Sequence, residues 1–207
     1  MEFYQFGLSP ILLYMLREKL QHKRIILASG SPRRQQFFKE LDVDFEIRLK
    51  EVEEIYPEDL KAQEITNFLA ELKAEAFTDI AENEIIITSD TIVWHENKAL
   101  GKPKDYNDAF AMLQSMCGKT HEVITSVCFK TSNSVETFYE ITKVSFKNLS
   151  DEALHYYLEN YKPFDKAGAY GIQEWIGLVG IDKIEGSYAN VVGMPIDRVY
   201  DKLLEHV

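Results

Sequence analysis

Arg24-Ile-Ile-Leu-Ala-Ser-Gly-Ser-Pro-Arg-Arg34 is an apolar run that breaks abruptly into a polar loop. Residues 24–28 predict a short buried strand. Ser31 is a favourable N-cap residue, and Pro32 suits the first helical position, where its missing N–H costs nothing. A helix is therefore predicted to follow as far as about Leu41, with its apolar side chains Phe37, Phe38 and Leu41 buried.

The start of this helix has the chemistry of an anion site. Arg33 and Arg34 lie in the first turn, where the helix dipole disfavours a cation by roughly 0.3–1 kcal/mol. A bound anion reverses that sign, and the free N–H groups of the turn and the serine hydroxyls would face it. Phosphate is the leading candidate because guanidinium groups match its geometry. Two solvated arginines are the alternative for Pro-Arg-Arg taken alone.

Length and charge limit the classes of function. The chain has 207 residues, 45% of them hydrophobic, and a formal net charge of −11 at pH 7. This charge argues against a protein that binds nucleic acid or an anionic membrane through a basic face. An anionic small substrate stays compatible if a few basic residues gather in one cleft. No apolar run approaches the ~18–20 residues of a membrane span.

The N-terminal segment and the cysteines bear on location. Residues 1–22 lack the pattern of an export signal and predict an extra helix that packs on the body or on a partner, such as a second copy in a homodimer. A single domain is then predicted over residues 23–207. Cys117 and Cys128 form neither a metal spacing nor a disulfide framework. Buried reduced thiols, as in a cytoplasmic protein, are expected.

The remaining sequence mixes β–α units with hairpins, which predicts an α/β protein with a central mixed sheet and two lobes. Strands are predicted over residues 45–49, 84–94, 122–130, 135–147 and 176–184, with a tight turn at 95–98. Helices are predicted over residues 61–80, 107–116, from Ser150 to before Pro163, and 195–204.

Asp90 lies in the middle of a strand that is otherwise apolar. Aspartate is depleted in strands, and burial of its charge is costly unless the charge is paired or bound to a metal. Glu54 ends an acidic run and could join it. Two carboxylates with phosphate oxygens would suit Mg²⁺, which takes few protein ligands. The alternatives are an aspartate that caps a turn and a solvated acidic face.

Three lysines and a glutamine complete the candidate residues. Lys73 lies beside the apolar stripe of its helix, Lys102 stands between a glycine and a proline, and Lys166 lies in a glycine-rich loop. With the two arginines they could neutralise a triphosphate, although most lysines are simply surface residues. Gln173 offers a donor and an acceptor, as recognition of a base edge requires; a loop glutamine bonded to backbone is the alternative.

Five motifs occur in order: Ala28-Ser-Gly-Ser-Pro-Arg-Arg34, Ser89-Asp-Thr-Ile-Val93, Gly101-Lys-Pro103, Asp165-Lys-Ala-Gly-Ala-Tyr-Gly-Ile-Gln173 and Gly186-Ser-Tyr…Val-Val-Gly-Met-Pro195. Together they resemble the Maf family of nucleotide pyrophosphatases over about residues 24–205. The resemblance implies an elongated mixed sheet with flanking helices and two lobes around a cleft, similar to inosine-triphosphate pyrophosphatases. It also implies hydrolysis of a nucleoside triphosphate to the monophosphate and pyrophosphate with a divalent cation, Mg²⁺ first and Mn²⁺ second.

The resemblance also implies roles for individual residues. Asp90 corresponds to the proposed general base, with Lys73 and Glu54 as its catalytic companions, and Asp90 and Glu54 are the implied metal ligands. Residues expected to bind substrate are Ser29, Arg33, Arg34 and Lys102, to which Lys166 is added from its loop. Arg33, Thr91 and Gln173 fall where the family sets its base preference. This set looks like the branch that acts on dTTP and UTP; the branch that acts on 7-methyl-GTP carries a tryptophan after Ser-Pro.

The sequence departs from the family pattern at two places, and two alternative functions are also considered. Residues 1–22 precede the usual family start, and Glu174-Trp175 follow Gln173 where glycine is expected, so the loop near the base is expected to differ in shape. One rival is a house-cleaning enzyme for modified pyrimidine nucleotides. The other is a nucleotide-binding regulator of cell division, which would not need Asp90 and Glu54. Whether Asp90 is a base or a metal ligand stays open at this point.

Overall fold

The computed structural model describes residues 16–207, which are organised by a mixed sheet of seven strands. The strands are β1 (Arg24–Leu27), β2 (Phe45–Ile47), β3 (Glu84–His95), β4 (Lys98–Leu100), β5 (Thr120–Lys130), β6 (Val135–Phe146) and β7 (Ile181–Glu185). Their order is β2-β1-β3-β5-β6-β7, with β4 paired to β3. β1 runs parallel to β2 and β3, and the other pairs are antiparallel. The predicted mixed α/β sheet is confirmed.

Helices flank this sheet on both faces. They are α1 (Pro32–Glu40), α2 (Gln63–Glu75), α3 (Tyr106–Met116), α4 (Asp151–Tyr161), the short α5 (Trp175–Val179) and α6 (Tyr188–Val192), and α7 (Ile196–Glu205). Residues 16–20 are also helical, and residues 21–22, which the prediction included in the same helix, form a turn. Residues 1–15 of the predicted helix lie outside the described residues. Within the described part of the chain, no helix is long and apolar enough to cross a membrane.

The long strand β3 distributes its side chains between two layers of helices. Ile85 and Ile87 pack in a cluster with residues of α1 and α7, whereas Ile92 packs with residues of α2. Successive side chains of a strand point to opposite faces, so Asp90 shares the face of Ile92. This alternation places the Asp90 carboxylate under α2.

Two large hydrophobic clusters lie towards opposite ends of β3. One contains Ile85 and Ile87 and the other contains Val93, together with residues of α3 and α4. Between them the strand carries the polar run Ser89-Asp-Thr91. The two clusters correspond to the two predicted lobes, whereas the division of the chain at residues 22 and 23 stays a prediction.

The first strand, turn and helix form as predicted, with one difference in detail. Phe38 and Leu41 are buried and Phe37 is partly buried. Ser31 occupies the N-cap position of α1 but makes no capping bond through its side chain. Its backbone N–H instead donates to the Ser29 hydroxyl at 3.3 Å, which ties the turn to the end of β1.

Two element boundaries differ from the predictions for tertiary reasons. The helix predicted over residues 61–80 ends at Glu75, because Phe77 leaves the helix axis to pack against Ile26 and Ile86. The strand predicted over residues 176–184 is wrong in its first half, where α5 lies. There, Ile176 is buried but Leu178 is 81% exposed, so the apolar run has one buried side and does not enter the sheet.

Candidate active site

A cleft of about 1160 Å³ opens between the two clusters, across the middle of β3. Its walls are the loop between β1 and α1, residues 49–56, one side of α2, and residues 99–102, 165–173 and 191–193. Every residue singled out from the sequence lines this cleft: Ser29, Arg33, Arg34, Glu54, Lys73, Asp90, Thr91, Lys102, Lys166 and Gln173. The volume is ample for a nucleotide, since ligand pockets commonly span about 300–1,000 Å³.

A buried ion pair joins α2 to β3 on the floor of the cleft. Asp90 is 7% exposed, and Lys73 Nζ donates a hydrogen bond to its Oδ1 at 2.7 Å. The same ammonium lies 3.1 Å from Oε1 of Glu54, whose side chain is half exposed. An unpaired carboxylate at this depth would be costly, so Lys73 explains how an aspartate is tolerated in the middle of a buried strand.

The donor set on this floor fits a hard divalent cation shared with a substrate. The carboxylates of Asp90 and Glu54 converge on one positive charge, the Lys73 ammonium, within 3.1 Å of each. Among residues 16–207, no group of three or more histidine, cysteine, aspartate or glutamate side chains is placed to hold a metal ion by itself. Mg²⁺ is commonly bound by one or two carboxylates, while water and substrate phosphates complete its coordination shell. Asp90 and Glu54 match this number of protein ligands.

Arg34 is a partly buried side chain that joins three parts of the cleft. Its Nε donates to the Gly193 carbonyl at 2.9 Å, Nη1 to the Ser89 carbonyl at 2.8 Å and Nη2 to the Thr91 hydroxyl at 2.9 Å. Burial lowers the pKa of Arg34 to about 10, while nearby Asp90 opposes that shift. The guanidinium therefore remains charged at neutral pH, with most of its donors committed to the protein.

Arg33 reaches across the cleft to the glycine-rich loop. Its Nη1 donates to Oδ2 of Asp165 at 2.8 Å, and Lys166 Nζ donates to the other oxygen, Oδ1, at 2.7 Å. Burial opposes ionisation of Asp165, but the hydrogen bonds from Lys166 and Arg33 outweigh it and lower the carboxyl pKa to about 2. The ion pair links α1 to the opposite wall.

The low pKa of Asp165 predicts an acid-dependent contribution to stability. Because the folded pKa of about 2 lies below the ordinary 3.8, the contribution is present above a pH of about 4 and is lost as the pH falls towards the folded value. The Asp165→Asn variant should therefore lose less thermal stability than the wild type between these two pH values. Melting temperatures across the range measure this, with exposed Asp182→Asn as control. Equal slopes for wild type and Asp165→Asn would contradict the assignment.

The other predicted binding residues lie at the cleft surface. The Ser29 hydroxyl accepts from Ser31 N–H and lies 3.5 Å from Arg34 Nη1. Lys102 and Gln173 are exposed on the two walls. The Thr91 hydroxyl pairs with Thr125 at 3.0 Å as well as with Arg34. Their assignment to substrate and base recognition stays a prediction.

The sequence reasoning missed three residues that organise the wall formed by residues 165–174. Asp165 holds both Arg33 and Lys166. Glu174 Oε1 lies 3.0 Å from Lys166 Nζ, and its other oxygen accepts from the Tyr157 hydroxyl. The adjacent opposite charges at positions 165 and 166 were a signal for Asp165. No local pattern in the sequence indicates that the Tyr157 hydroxyl contacts Glu174.

Comparison with known proteins finds matches that cover nearly the whole chain. The family model described as Maf-like protein matches residues 24–206. The chain is similar to proteins named dTTP/UTP pyrophosphatase, one from Flavobacterium johnsoniae at 68% identity, covering 91% of this chain and 98% of the relative. Another, from Bacteroides fragilis, is 48% identical and covers 89% of this chain and 96% of the relative.

A solved structure shares the fold. The Ham1 protein of Staphylococcus aureus superposes with a TM-score of 0.51 over 89% of this chain and 100% of that one. The sequence identity is 15%, so the likeness concerns the fold alone. It supports the predicted mixed sheet with flanking helices.

Proposed function

Because the chain belongs to the Maf-like protein family, we propose that it hydrolyses dTTP and UTP to the nucleoside monophosphate and pyrophosphate. The observation that carries the proposal is the meeting of the buried Asp90 carboxylate and the half-exposed Glu54 carboxylate with six cationic side chains in one cleft of an acidic protein. The relatives named dTTP/UTP pyrophosphatase, which match over most of this chain, support the choice of nucleotides.

Asp90 is the residue we place at the reacting phosphorus. Lys73 holds its Oδ1, and the carboxylate would then either accept a proton from the attacking water or serve as a ligand of a divalent cation. Water attacks the α-phosphorus, the bond to the bridging oxygen breaks, and pyrophosphate leaves with that oxygen. The depth of Asp90 strengthens these electrostatic interactions, because the surroundings screen charge less than water does.

A divalent cation, Mg²⁺ or else Mn²⁺, is proposed at Asp90 and Glu54. When bound, such an ion polarises the phosphate and lowers the pKa of a bound water. The support lies in the position of Lys73, whose ammonium is within 3.1 Å of both carboxylates. A cation held by both carboxylates would take the place that the Lys73 ammonium occupies between them.

The cationic walls stabilise the phosphates of the proposed substrate. Arg33, Lys102 and Lys166 line the cleft. Arg33 and Lys102 would neutralise charge that builds on the departing pyrophosphate, whereas Lys166 would bind the substrate. Ser29 and the amides of its loop would hold phosphate oxygens. Arg34 contributes its charge and fixes the loop through its bonds to backbone carbonyls.

The test of the proposal is pyrophosphate release from a panel of nucleotides. With Mg²⁺, kcat/KM for dTTP and UTP should exceed that for CTP and GTP by about 10²-fold or more, since a site built to pair with a base edge rejects bases that leave its groups unpaired. Thr91 and Gln173 are the residues we assign to that discrimination. Equal turnover of all four nucleotides would contradict the base assignment.

The same panel separates the rival functions. Faster turnover of modified pyrimidine triphosphates than of dTTP would indicate a house-cleaning enzyme. Binding of nucleotides without turnover of any, including 7-methyl-GTP, would indicate a nucleotide-binding regulator. A regulator that only binds nucleotides does not account for a carboxylate buried at 7% exposure beside a lysine as directly as catalysis does.

We propose a cytoplasmic enzyme whose partner is the nucleotide and not nucleic acid or a membrane. The support is the net charge of −11 and the state of the cysteines, since Cys128 is buried, Cys117 is partly exposed and both are free thiols. A homodimer is retained as the assembly to test by light scattering of the purified full-length chain.

A further inference from the structure

The Tyr157 side chain connects the hydrophobic core to the cleft. It is fully buried, its hydroxyl donates to Oε2 of Glu174, and it accepts from the Gly171 backbone N–H at 3.0 Å. Burial and the bond to Glu174 raise the pKa of Tyr157, so the hydroxyl stays a donor throughout the range in which the protein functions. The hydroxyl of the buried Tyr157 ring thus fixes the Glu174 carboxylate from the side of the hydrophobic core.

The other oxygen of Glu174 faces Lys166. Oε1 lies 3.0 Å from Lys166 Nζ, and the lysine is 9% exposed in the cleft wall. The second partner of Lys166 is Asp165, which is 57% exposed and is shared with Arg33. If an anionic ligand drew Arg33 away from Asp165, the contact between Asp165 and Lys166 would be disturbed. The contact between Glu174 and Lys166 does not involve Arg33 and would remain.

Gly171 shows that Gln173 belongs to the same group. A Cβ added to Gly171 would lie 2.9 Å from Glu174 Cδ, 3.0 Å from Lys166 Cε and 3.1 Å from Gln173 Nε2. Three side chains therefore converge around one glycine, and the position of each limits the other two. Lys166 and Gln173 line the cleft, while Glu174 packs behind them.

We propose that Glu174, anchored by Tyr157, is a positioning residue that fixes Lys166 and Gln173 in the geometry that meets the nucleotide. The inference rests on the proposed function and deepens it, since it concerns substrate recognition at the same site. Glu174 acts on binding rather than on the reacting phosphorus, because the Asp90 and Lys73 pair belongs to the floor of the cleft, on β3 and α2.

Two variants test the role of this residue. Glu174→Gln removes the charge that holds Lys166, and Tyr157→Phe removes the hydroxyl anchor but keeps the ring. Each should raise KM for UTP and the Kd of its non-hydrolysable α,β-imido analogue about tenfold, with kcat within about twofold, since a charge-assisted hydrogen bond is lost in binding but not in the chemical step. Exposed Glu159→Gln, on the same helix as Tyr157, should behave as the wild type.

A double-mutant cycle shows whether Glu174 acts through Lys166. In a Lys166→Ala background, adding Glu174→Gln should raise KM and Kd much less than it does alone, because the group it positions is gone. Unchanged KM and Kd in both Glu174→Gln and Tyr157→Phe, even with lowered melting temperatures, would overturn the proposal and leave a purely structural role. So would full additivity in the cycle.

The outcome is distinct from failure of the proposed function. If the wild type neither turns over nor binds dTTP or UTP, the proposed function fails and with it the premise of this inference. If the wild type turns over UTP and the variants match it in KM and Kd, only the inference fails. The analogue binding measurement gives this answer independently of catalysis.

Discussion

The Asp90→Asn variant is expected to lose about 10³-fold in kcat for dTTP while it remains folded. Asparagine has nearly the same shape as aspartate, but it can neither accept the proton of the attacking water nor supply an anionic ligand. Lys73 keeps its contact with Glu54, so its charge stays partnered. Steady-state pyrophosphate release with Mg²⁺ measures the loss.

Two controls make that result specific. Exposed Asp59→Asn, which lies outside the residues that line the cleft, should leave kcat unchanged. Circular dichroism and the melting temperature of Asp90→Asn should show a folded protein. Near-normal kcat in a folded Asp90→Asn variant would remove Asp90 from the chemistry.

Replacement of Arg34 should cost the largest amount of stability of any single change in the cleft. In Arg34→Met, the Gly193 and Ser89 carbonyls lose their guanidinium donor, whereas the Thr91 hydroxyl keeps its contact with Thr125. Buried acceptors left unpaired cost about 1–3 kcal/mol each before relaxation, so a total near 3 kcal/mol is expected after the site adjusts. Urea denaturation of the full-length chain measures the change in the free energy of unfolding.

The neighbouring arginine is the matched comparison. Arg33 is 24% exposed and pairs with an exposed carboxylate, so Arg33→Met should cost no more than about 1 kcal/mol. Arg34→Lys should recover only part of the loss, because one ammonium cannot reach three separated acceptors as a planar guanidinium does. Equal destabilisation by Arg33→Met and Arg34→Met would show that the hydrogen bonds from Arg34 to the Gly193 and Ser89 carbonyls do not stabilise the fold as proposed.

The local elements around the cleft could be predicted because their signals are local. An apolar run followed by Ser31 and Pro32 marks the end of β1 and the start of α1. The apolar face of α2 and the positive φ of Glu96 and Asn97 in the β3–β4 turn follow from similarly short patterns. Such signals depend on backbone and side-chain preferences within a few residues.

The first half of the strand predicted over residues 176–184 fails because a distant contact decides it. A Cβ on Gly177 would lie 1.7 Å from the Ile172 carbonyl oxygen, so this glycine allows the chain to turn back closely on itself into α5. The apolar composition of the segment does not indicate this close contact between Gly177 and the Ile172 carbonyl. Within α5 only Ile176 is buried, so burial does not alternate along this segment as it would in a strand.

Most of the residues that line the candidate site could be identified from the sequence, but the contacts between their side chains could not. A buried aspartate in a strand and a Pro-Arg-Arg helix start are visible in the sequence. The bond from Arg33 to Asp165 spans 132 residues, and the bond from Arg34 to Gly193 spans 159. Pairs at such separations depend on the tertiary fold, and no local pattern assigns one partner to the other.

Hydrolysis of dTTP in oxygen-18-labelled water tests the central claim most directly. Mass spectrometry of the products should find dTMP that carries the label and pyrophosphate that does not, because water attacks the α-phosphorus and pyrophosphate leaves. Formation of dTDP and inorganic phosphate, or label in the pyrophosphate, would contradict the account.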